Sequence, residues 1–425
     1  MIETVKNAWK IPELRKKLTF VLFAIIIFRL GFAIYVPFVD TKLLADQFAA
    51  LNSGNLLGYF NTLAGGGMST ASIFAMSIYP YINASIIIQL LQVAIPALER
   101  LAKEGGEEGK KKIQKIIRIT TLVLACIMAL GYYVTLKSMS VLTRADLWSA
   151  IVIIATMMAG SMFVMWLGDQ ITEKGIGNGI SIILLVGIVS QGLRAVVKII
   201  NMQWWAMIIT LVICLAIIAF IVYITEAERR IPVQYAKRVV GRKQYGGQST
   251  HLPMKVNMSG VMPVIFASTI CGVPATIAGF TQPQEGGFWW NMTNKWFAPG
   301  ATAYIIIYVL LIFAFAYFYS TIQFNPIEVA NNLKKNGGYI PGFRPGKPTS
   351  EFIQKVLNKI TLFGAIYLGI IAVVPILVAH FSQSAALTGI SLGGTSIIIV
   401  VGVALETVRA LEAQMLMRNY KGFLD

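Results

Sequence analysis

The 425 residues are 56% hydrophobic and only 13% charged, whereas soluble domains are roughly 45–50% apolar and about 25% charged. A soluble chain of this size could not bury so much apolar surface, because much of a folded protein's surface stays in contact with water. The composition therefore excludes a soluble enzyme and predicts a polytopic membrane protein. The net charge of +17, from 36 Lys and Arg against 19 Asp and Glu, then reports mainly on orientation in the membrane.

Ten apolar runs are long enough for membrane-spanning helices, which need about 20 mostly apolar residues each. The predicted spans are 18–36, 70–93, 116–136, 147–168, 180–200, 204–224, 258–279, 301–322, 356–380 and 393–412. Residues 11–17 precede the first span and read as a short amphipathic interfacial helix.

Most of the basic residues fall in alternate loops, which places both termini in the cytoplasm. The ten spans divide into two sets of five, giving an N-terminal half, 1–202, and a C-terminal half, 203–425. Because five is odd, the two halves enter the membrane in opposite senses, as the inverted repeats of many transport proteins do. We therefore expect an all-α fold with a central site or pathway between the halves.

A short apolar segment at about 56–67 follows the first span and ends in three consecutive glycines. It is too short to cross a membrane, and its glycines let the backbone reverse. We expect a re-entrant half-helix, although an interfacial helix on the outer leaflet is the alternative. The residues assigned to this segment are Leu57, Tyr59, Phe60, Leu63, Gly65, Gly66 and Gly67.

Two further motifs lie on the predicted spans. Ile82 and Ile86 are four residues apart in the second span and share one helix face, which suits either a pore lining or close helix packing. Residues 175–181 (GIGNGIS) lack the Lys-Ser/Thr of a phosphate-binding loop. They predict a tight turn, with Asn178 near the start of the fifth span.

Two predicted cytoplasmic loops, at about 225–257 and 323–355, are longer than simple connections. Aromatic and turn residues are interleaved with their charges, which favours docking surfaces for a cytoplasmic partner over solvated connectors. Arg344 lies between Pro341-Gly342 and Pro345-Gly346, so we expect it at a sharply shaped loop tip. The candidate docking residues are Arg238, Arg242, Lys243, Arg344 and Lys347.

Catalytic and metal-binding motifs are not found in the sequence. The three cysteines lie in apolar runs and the two histidines are far apart, so we expect no metal site, no cofactor and no enzymatic activity. Arg29 in the first span and Glu406 in the last are among the few charges within the predicted spans. An ion-coupled transporter would ordinarily place ionisable groups near the membrane midplane, and their scarcity favours a pathway with an apolar constriction.

Four stretches of the sequence resemble the SecY family of bacterial protein-translocase channels. They are YINASIIIQLL at 81–91, TEKGIGNGIS at 172–181, STHLPMKVNMSGVMPVIFAS at 249–268 and NPIEVANNLKKNGGYIPGFRPGKPT at 325–349. The resemblance implies two five-helix halves around an hourglass pore, a plug at about 56–67, and a lateral gate between spans two and three and spans seven and eight. The family's apolar pore ring maps onto Ile82, Ile86, Leu184, Ile265 and Ile399, with Leu184 where isoleucine is common.

The resemblance also implies a function and partners. The chain would conduct unfolded secretory preproteins, with their signal peptides, across the cell inner membrane and release transmembrane segments sideways into lipid. It would assemble with SecE and SecG, and its basic loops would bind alternately the motor ATPase SecA and the translating ribosome, including ribosomal RNA. The alternative from another class is an inverted-repeat secondary transporter for small solutes, and an intramembrane enzyme is a more distant one.

Overall fold

The computed structural model describes residues 2–50, 61, 64–103, 105–200, 204–235, 238–240, 243–245, 249–281, 287–292, 296–297, 301–382 and 393–421. Most of these residues are helical. The helices are α1 (Ile2–Lys10), α2 (Pro12–Gly31), α3 (Thr41–Ala50), α4 (Tyr79–Ala94), α5 (Pro96–Lys103), α6 (Gly106–Ser138), α7 (Leu147–Lys174), α8 (Gly179–Ile200), α9 (Trp204–Glu226), α10 (Met262–Thr281), α11 (Phe288–Asn291), α12 (Thr302–Gln323), α13 (Pro326–Lys335), α14 (Lys347–Ser382) and α15 (Gly393–Lys421).

The strands correct the expectation of an all-α chain. They are β1 (Glu228–Tyr235), β2 (Arg238–Val240), β3 (Lys243–Tyr245), β4 (Ser249–Lys255) and β5 (Gly338–Tyr339). An antiparallel sheet has the order β4-β1-β5, and β2 pairs with β3 in a second, two-stranded sheet. All five strands lie on the two long loops, so these loops are folded structures.

Each predicted span overlaps one of the helices α2, α4, α6, α7, α8, α9, α10, α12, α14 and α15. Length and composition alone qualify only four stretches of the described chain to cross a membrane: Gly106–Ser138, Leu147–Lys174, Thr302–Lys335 and Lys347–Val374. A fifth is added if α4 and α5, bent by 107°, are counted as one span. The full number of ten crossings therefore stays a prediction.

The second predicted span is shorter than expected, because its helix begins at Tyr79 and not near residue 70. Residues 70–78 form turns. The Ser69 and Thr70 hydroxyls donate hydrogen bonds to the carbonyls of Gly66 and Gly67, and such local bonds compete with helix formation. Pro80 lies in the first helical turn, where its missing N–H group costs no helical hydrogen bond.

The start of the chain also differs from the prediction. Residues 12–17 are the first turns of α2, with Pro12 at the helix start, and the separate amphipathic helix is α1. At its other end α2 stops at Gly31, before the predicted limit of the span at residue 36. Tyr35 then forms an isolated antiparallel bridge with Ser72, which ties the chain after α2 to the turns before α4.

The helices pack around α6 and α10, which contact each other directly. Helix α6 also packs against α4 and α7, and α10 packs against α12. Helix α15 contacts α1 and α8 of the N-terminal half as well as α9 and α14 of the C-terminal half. The largest buried apolar cluster contains side chains from both halves, so the two predicted halves share one core.

Candidate functional site

Four of the five predicted pore-ring residues are almost completely buried. Ile82, Ile86 and Leu184 belong to one apolar cluster, and Ile265 packs against it. Ile399 belongs to an adjoining cluster, and Ile265 packs against that one too. The exposed fractions are 3% for Ile86 and Ile399 and 6% for Ile82 and Leu184. The structure thus brings the five residues from α4, α8, α10 and α15 into adjoining clusters, with two helices from each half.

The local reason for this arrangement differs from helix to helix. Ile82 and Ile86 lie one turn apart on α4, so they present two methyl-rich groups on the same side. Helix α8 is fixed at its start by Asn178, whose Oδ1 accepts hydrogen bonds from the N–H groups of Ile180 and Ser181, and Leu184 follows within the next turn. None of the five side chains can form a hydrogen bond, so these five side chains offer water and ions no polar partner.

The chain just before α4 is anchored by hydrogen bonds. The Tyr132 hydroxyl on α6 donates to the carbonyl oxygen of Met68 at 2.5 Å, and the N–H of Ile73 donates to the carbonyl of Ile34 at 3.0 Å. The N–H of Ser69 donates to the side-chain oxygen of Asn61 at 3.0 Å. Residues 66–73 therefore form a fixed support for the predicted plug segment.

The predicted plug joins this support through two glycines. Gly65 and Gly66 have φ values of +73° and +87°, which residues with a side chain rarely adopt. Before them, Ala64 is 1% exposed and belongs to the cluster that contains Ile399. The predicted plug residues Leu57, Tyr59, Phe60 and Leu63 lie outside the described residues, whereas Gly65, Gly66 and Gly67 are buried.

A polar residue lies next to the aliphatic cluster. The Asn83 side-chain amide on α4 approaches the Met128 sulfur on α6, with 3.9 Å between Nδ2 and Sδ. The Oδ1 atom of Asn83 is buried without a hydrogen-bond partner in the described part of the chain. Met128 also packs against the cluster of Ile399, as does Val261, the residue just before α10. This cluster therefore joins α6 of the N-terminal half to the start of α10 in the C-terminal half.

The two long loops form one surface, which we call the platform and define as β1, β4 and residues 326–357, a segment that contains α13, β5 and the start of α14. Gln234 on β1 pairs with Tyr339 on β5, and the Tyr339 hydroxyl donates to Gln234 Oε1 at 2.9 Å. The platform has its own apolar core, which contains Ile231, Val233, Met254, Ile340, Ile353 and Leu357. The alternation of Ile231 and Val233 follows the period of a strand with one buried face.

Arg344 lies at an exposed turn of the platform, as expected. Its side chain is exposed and forms no ion pair within the described residues. The flanking Gly342 and Gly346 have φ values of +89° and +106°, and the Phe343 ring stacks on Phe352 with centroids 4.2 Å apart. The Thr349 hydroxyl donates to the Arg344 carbonyl at 2.8 Å, so the backbone under the guanidinium is held in place.

The structure describes three of the four other predicted docking residues. Lys347 is exposed at the first residue of α14. Arg238 and Lys243 lie on β2 and β3, where Arg238 pairs with Tyr245 and Val240 with Lys243. Arg242 lies outside the described residues. The structure therefore puts Arg344 and Lys347 on the platform, and Arg238 and Lys243 on a separate strand pair.

Sequence reasoning missed two ion pairs between helices. Arg409 on α15 pairs with Glu226 at the end of α9, with 2.7 Å between Nη2 and Oε1. Arg118 on α6 pairs with Asp169 on α7 at the same distance. Their only signal in the sequence is a charge near the end of an apolar run, which does not reveal its partner.

Lys255, at the end of β4, lies near the Arg409 pair. Its pKa is lowered first by desolvation and then by Arg409, while Glu226, Glu406 and Glu228 act in the opposite direction. The base of the platform is thus electrostatically linked to α15, the helix that carries Ile399. Among the described residues, no group of three or more His, Cys, Asp or Glu side chains could hold a metal ion.

Comparisons with known proteins agree on one family. The sequence profile of the SecY family matches residues 72–408. The chain is 42% identical to protein translocase subunit SecY of Streptomyces scabiei, over the whole of both chains. It is 41% identical to the Thermotoga maritima protein of the same name, over all of this chain and 98% of the relative.

Solved structures show the same fold at low identity. A structure described as a protein-conducting channel superposes with a TM-score of 0.66 at 15% identity, covering 97% of each chain. A second structure, of a SecY protein whose plug domain is described as stabilising the closed state of the channel, also has a TM-score of 0.66. Its identity is 17%, over 97% of each chain. From its sequence profile and its full-length relatives, the chain belongs to the SecY family of protein translocase subunits.

Proposed function

We propose that this chain is a protein-conducting pore, through which unfolded preproteins cross the cell inner membrane. The observation that carries the proposal is the meeting of Ile82, Ile86, Leu184, Ile265 and Ile399 in adjoining buried clusters between the two halves. Aliphatic side chains in a narrow constriction exclude water and therefore ions. They can also surround an extended polypeptide without holding it by hydrogen bonds.

The plug and the lateral gate complete this proposal. The half-helix at about 56–67 closes the outer side of the ring, and Ala64 already packs beside Ile399. Transmembrane segments leave between α6 and α10, which contact each other across the two halves. Ten crossings follow from the ten apolar runs, and the cytoplasmic location of both termini follows from the distribution of basic residues.

The platform docks the partner that supplies the polypeptide. A solved ribosome–channel complex containing Sec61 has the same fold, with a TM-score of 0.62 at 15% identity over 97% of each chain. From its membership in the SecY family, we assign to this chain SecE and SecG as companion subunits. We assign SecA or the ribosome as the partner that docks on the platform. The lining of the proposed pathway is aliphatic, whereas a solute transporter would need a polar binding site there.

Crosslinking of a stalled chain tests the proposed pathway. A photoreactive residue at Ile82 or Ile265 should crosslink to a secretory chain arrested during translocation. The matched control is Leu310 on α12, which is 64% exposed on the outside of the helix bundle and should not crosslink to a fully hydrophilic chain. Equal crosslinking from Leu310, or none from the two ring positions, would exclude this pathway.

Arg344 tests the docking assignment. A guanidinium can form two parallel hydrogen bonds to a carboxylate or a phosphate, which Lys reproduces poorly. We expect Arg344→Glu to lower ATP-driven translocation of a model preprotein by about tenfold or more, the loss that corresponds to roughly 1.4 kcal/mol of binding. Arg344→Lys should lose less.

The control for this test is Lys115→Glu, which changes the same charge at an exposed position of α6. Both variants should assemble at normal levels, because neither side chain is buried. Normal translocation by Arg344→Glu at a normal channel level would remove Arg344 from the docking site.

A further inference from the structure

The motif at 172–181 forms the tight turn that the sequence predicts. Gly177 has a φ of +74°, and Asn178 caps α8 through the N–H groups of Ile180 and Ser181. The N–H of Gly179 donates to the Thr172 hydroxyl oxygen at 2.9 Å. The turn is therefore fixed to the end of α7 on one side and to the start of α8 on the other.

This turn contacts the other half of the molecule. A Cβ atom built on Gly177 would lie 3.6 Å from the Thr407 hydroxyl oxygen and 3.7 Å from the Thr407 Cα on α15. Ile176 is 2% exposed and packs in a cluster with Leu14 and Leu411. Backbone and apolar side chains of the turn thus pack directly onto α15.

Helix α1 and the start of α2 extend the same contact. The Thr4 hydroxyl donates to Glu412 Oε1 at 3.1 Å, and Lys17 Nζ donates to Gln414 Oε1 at 3.1 Å. Ala8 is completely buried in the cluster of Ile176. The contact between the halves at this end therefore combines backbone packing, apolar burial and polar side-chain bonds.

We propose that the 175–179 turn, with α1, forms a fixed joint against α15, about which the two halves rotate when the channel opens. This inference rests on the proposed function, since lateral release requires α6 and α10 to part while the halves stay connected. Helix α8 begins at the joint and ends at Ile200, just before the chain enters the second half at α9. A rotation that keeps both ends of α8 in place separates α6 from α10 without breaking the joint.

A disulfide across the joint tests this directly. In a background where Cys126, Cys214 and Cys271 are replaced by Ala, cysteines are placed at Gly177 and Thr407. The distances around Gly177 suit the Cβ separation of about 3.5–4.5 Å that disulfides require. If the joint stays fixed, the oxidised channel should translocate a preprotein within about twofold of the reduced one. A loss that reduction restores would mean that the joint must open, and would overturn the proposal.

A second pair guards against a Gly177 variant that fails to assemble. Cysteines at Thr4 and Glu412, joined by a short bis-maleimide, should likewise leave translocation within about twofold of the unlinked channel. The contrasting pair is Met128 on α6 and Val261, the residue just before α10, which pack against the same buried cluster; the same linker between them should abolish transport. If this pair also has no effect, the halves do not separate there and the joint has no role. A parent chain without any introduced cysteine that does not translocate the preprotein, at normal channel content, would instead contradict the proposed function.

Discussion

Two glycine-rich turns touch the same pair of helices, α8 and α15, and differ in how they are held. The Ala64–Gly67 turn contacts α8 where a Cβ on Gly65 would lie 3.2 Å from the Gly187 Cα. The hydrogen bond from the Ser190 hydroxyl on α8 to the Gly65 carbonyl is long, at 3.5 Å. Ala64 contacts the α15 cluster only through apolar packing.

The 175–179 turn is attached more tightly to these two helices. It includes a helix cap at Asn178, a 2.9 Å bond from Gly179 to Thr172, and the buried Ile176. Glycine content alone therefore does not predict motion, because the partners of the neighbouring residues decide whether a turn can be released. We interpret the first turn as the hinge of the plug and the second as the fixed joint.

Locking the plug hinge should have the largest effect. Cysteines at Ala64 and Val403, which lie in the same buried cluster, should form a bond that holds the plug in the closed channel. In the cysteine-free background, oxidation should abolish preprotein translocation and reduction should restore it. Unimpaired translocation with the bond complete would show that the plug need not move, and the distinction between the two turns would fail.

A methyl group added to the 175–179 turn should destabilise the channel. A Cβ on Gly179 would lie 2.1 Å from the Gly168 carbonyl oxygen, so the backbone must shift. We expect Gly179→Ala to destabilise the channel by about 1–3 kcal/mol, as overpacking does, measured as a lower thermal midpoint in detergent. Gly192→Ala, on the same helix with nothing within 4 Å of the added atom, should be neutral or slightly stabilising. Equal midpoints for the two variants would contradict the tight packing.

The support of the plug should respond more mildly. Tyr132→Phe removes the hydrogen bond to the Met68 carbonyl, which contributes about 0.5–1.5 kcal/mol. We expect a small rise in ion leakage through the resting channel, with translocation retained. Tyr133→Phe, the neighbouring change on α6, is the control and should leave the leak unaltered. A leak of the same size in both variants would remove Tyr132 from the support.

Local features were predictable from the sequence. The cap at Asn178 and the shared face of Ile82 and Ile86 follow from helix geometry over a few residues. The spacing of residues along one helix does not show which helices pack together. Leu184, Ile265 and Ile399 were therefore predicted only from the resemblance to the family. The structure then places them in the clusters around Ile82.

Non-local pairing explains what was missed. The pairing of Gln234 with Tyr339 joins two loops far apart in sequence, and no local pattern records it. The strands of the platform were hidden because Pro232 and several charges interrupt the alternation around Ile231. The Arg409–Glu226 pair was missed for the same reason, since each charge alone looks like the end of a span.

The central claim is that the aliphatic ring is the permeability barrier of a protein-conducting pore. Its most direct measurement is the ion flux through resting channels in sealed vesicles after Ile82, Ile86, Ile265 and Ile399 are replaced together by Ser. The matched control replaces the same four residues by Leu, which conserves volume and apolarity. We predict that the Ser variant conducts ions without a preprotein while the Leu variant stays as tight as the parent chain. A Ser variant as tight as the parent, at equal channel content, would contradict the account.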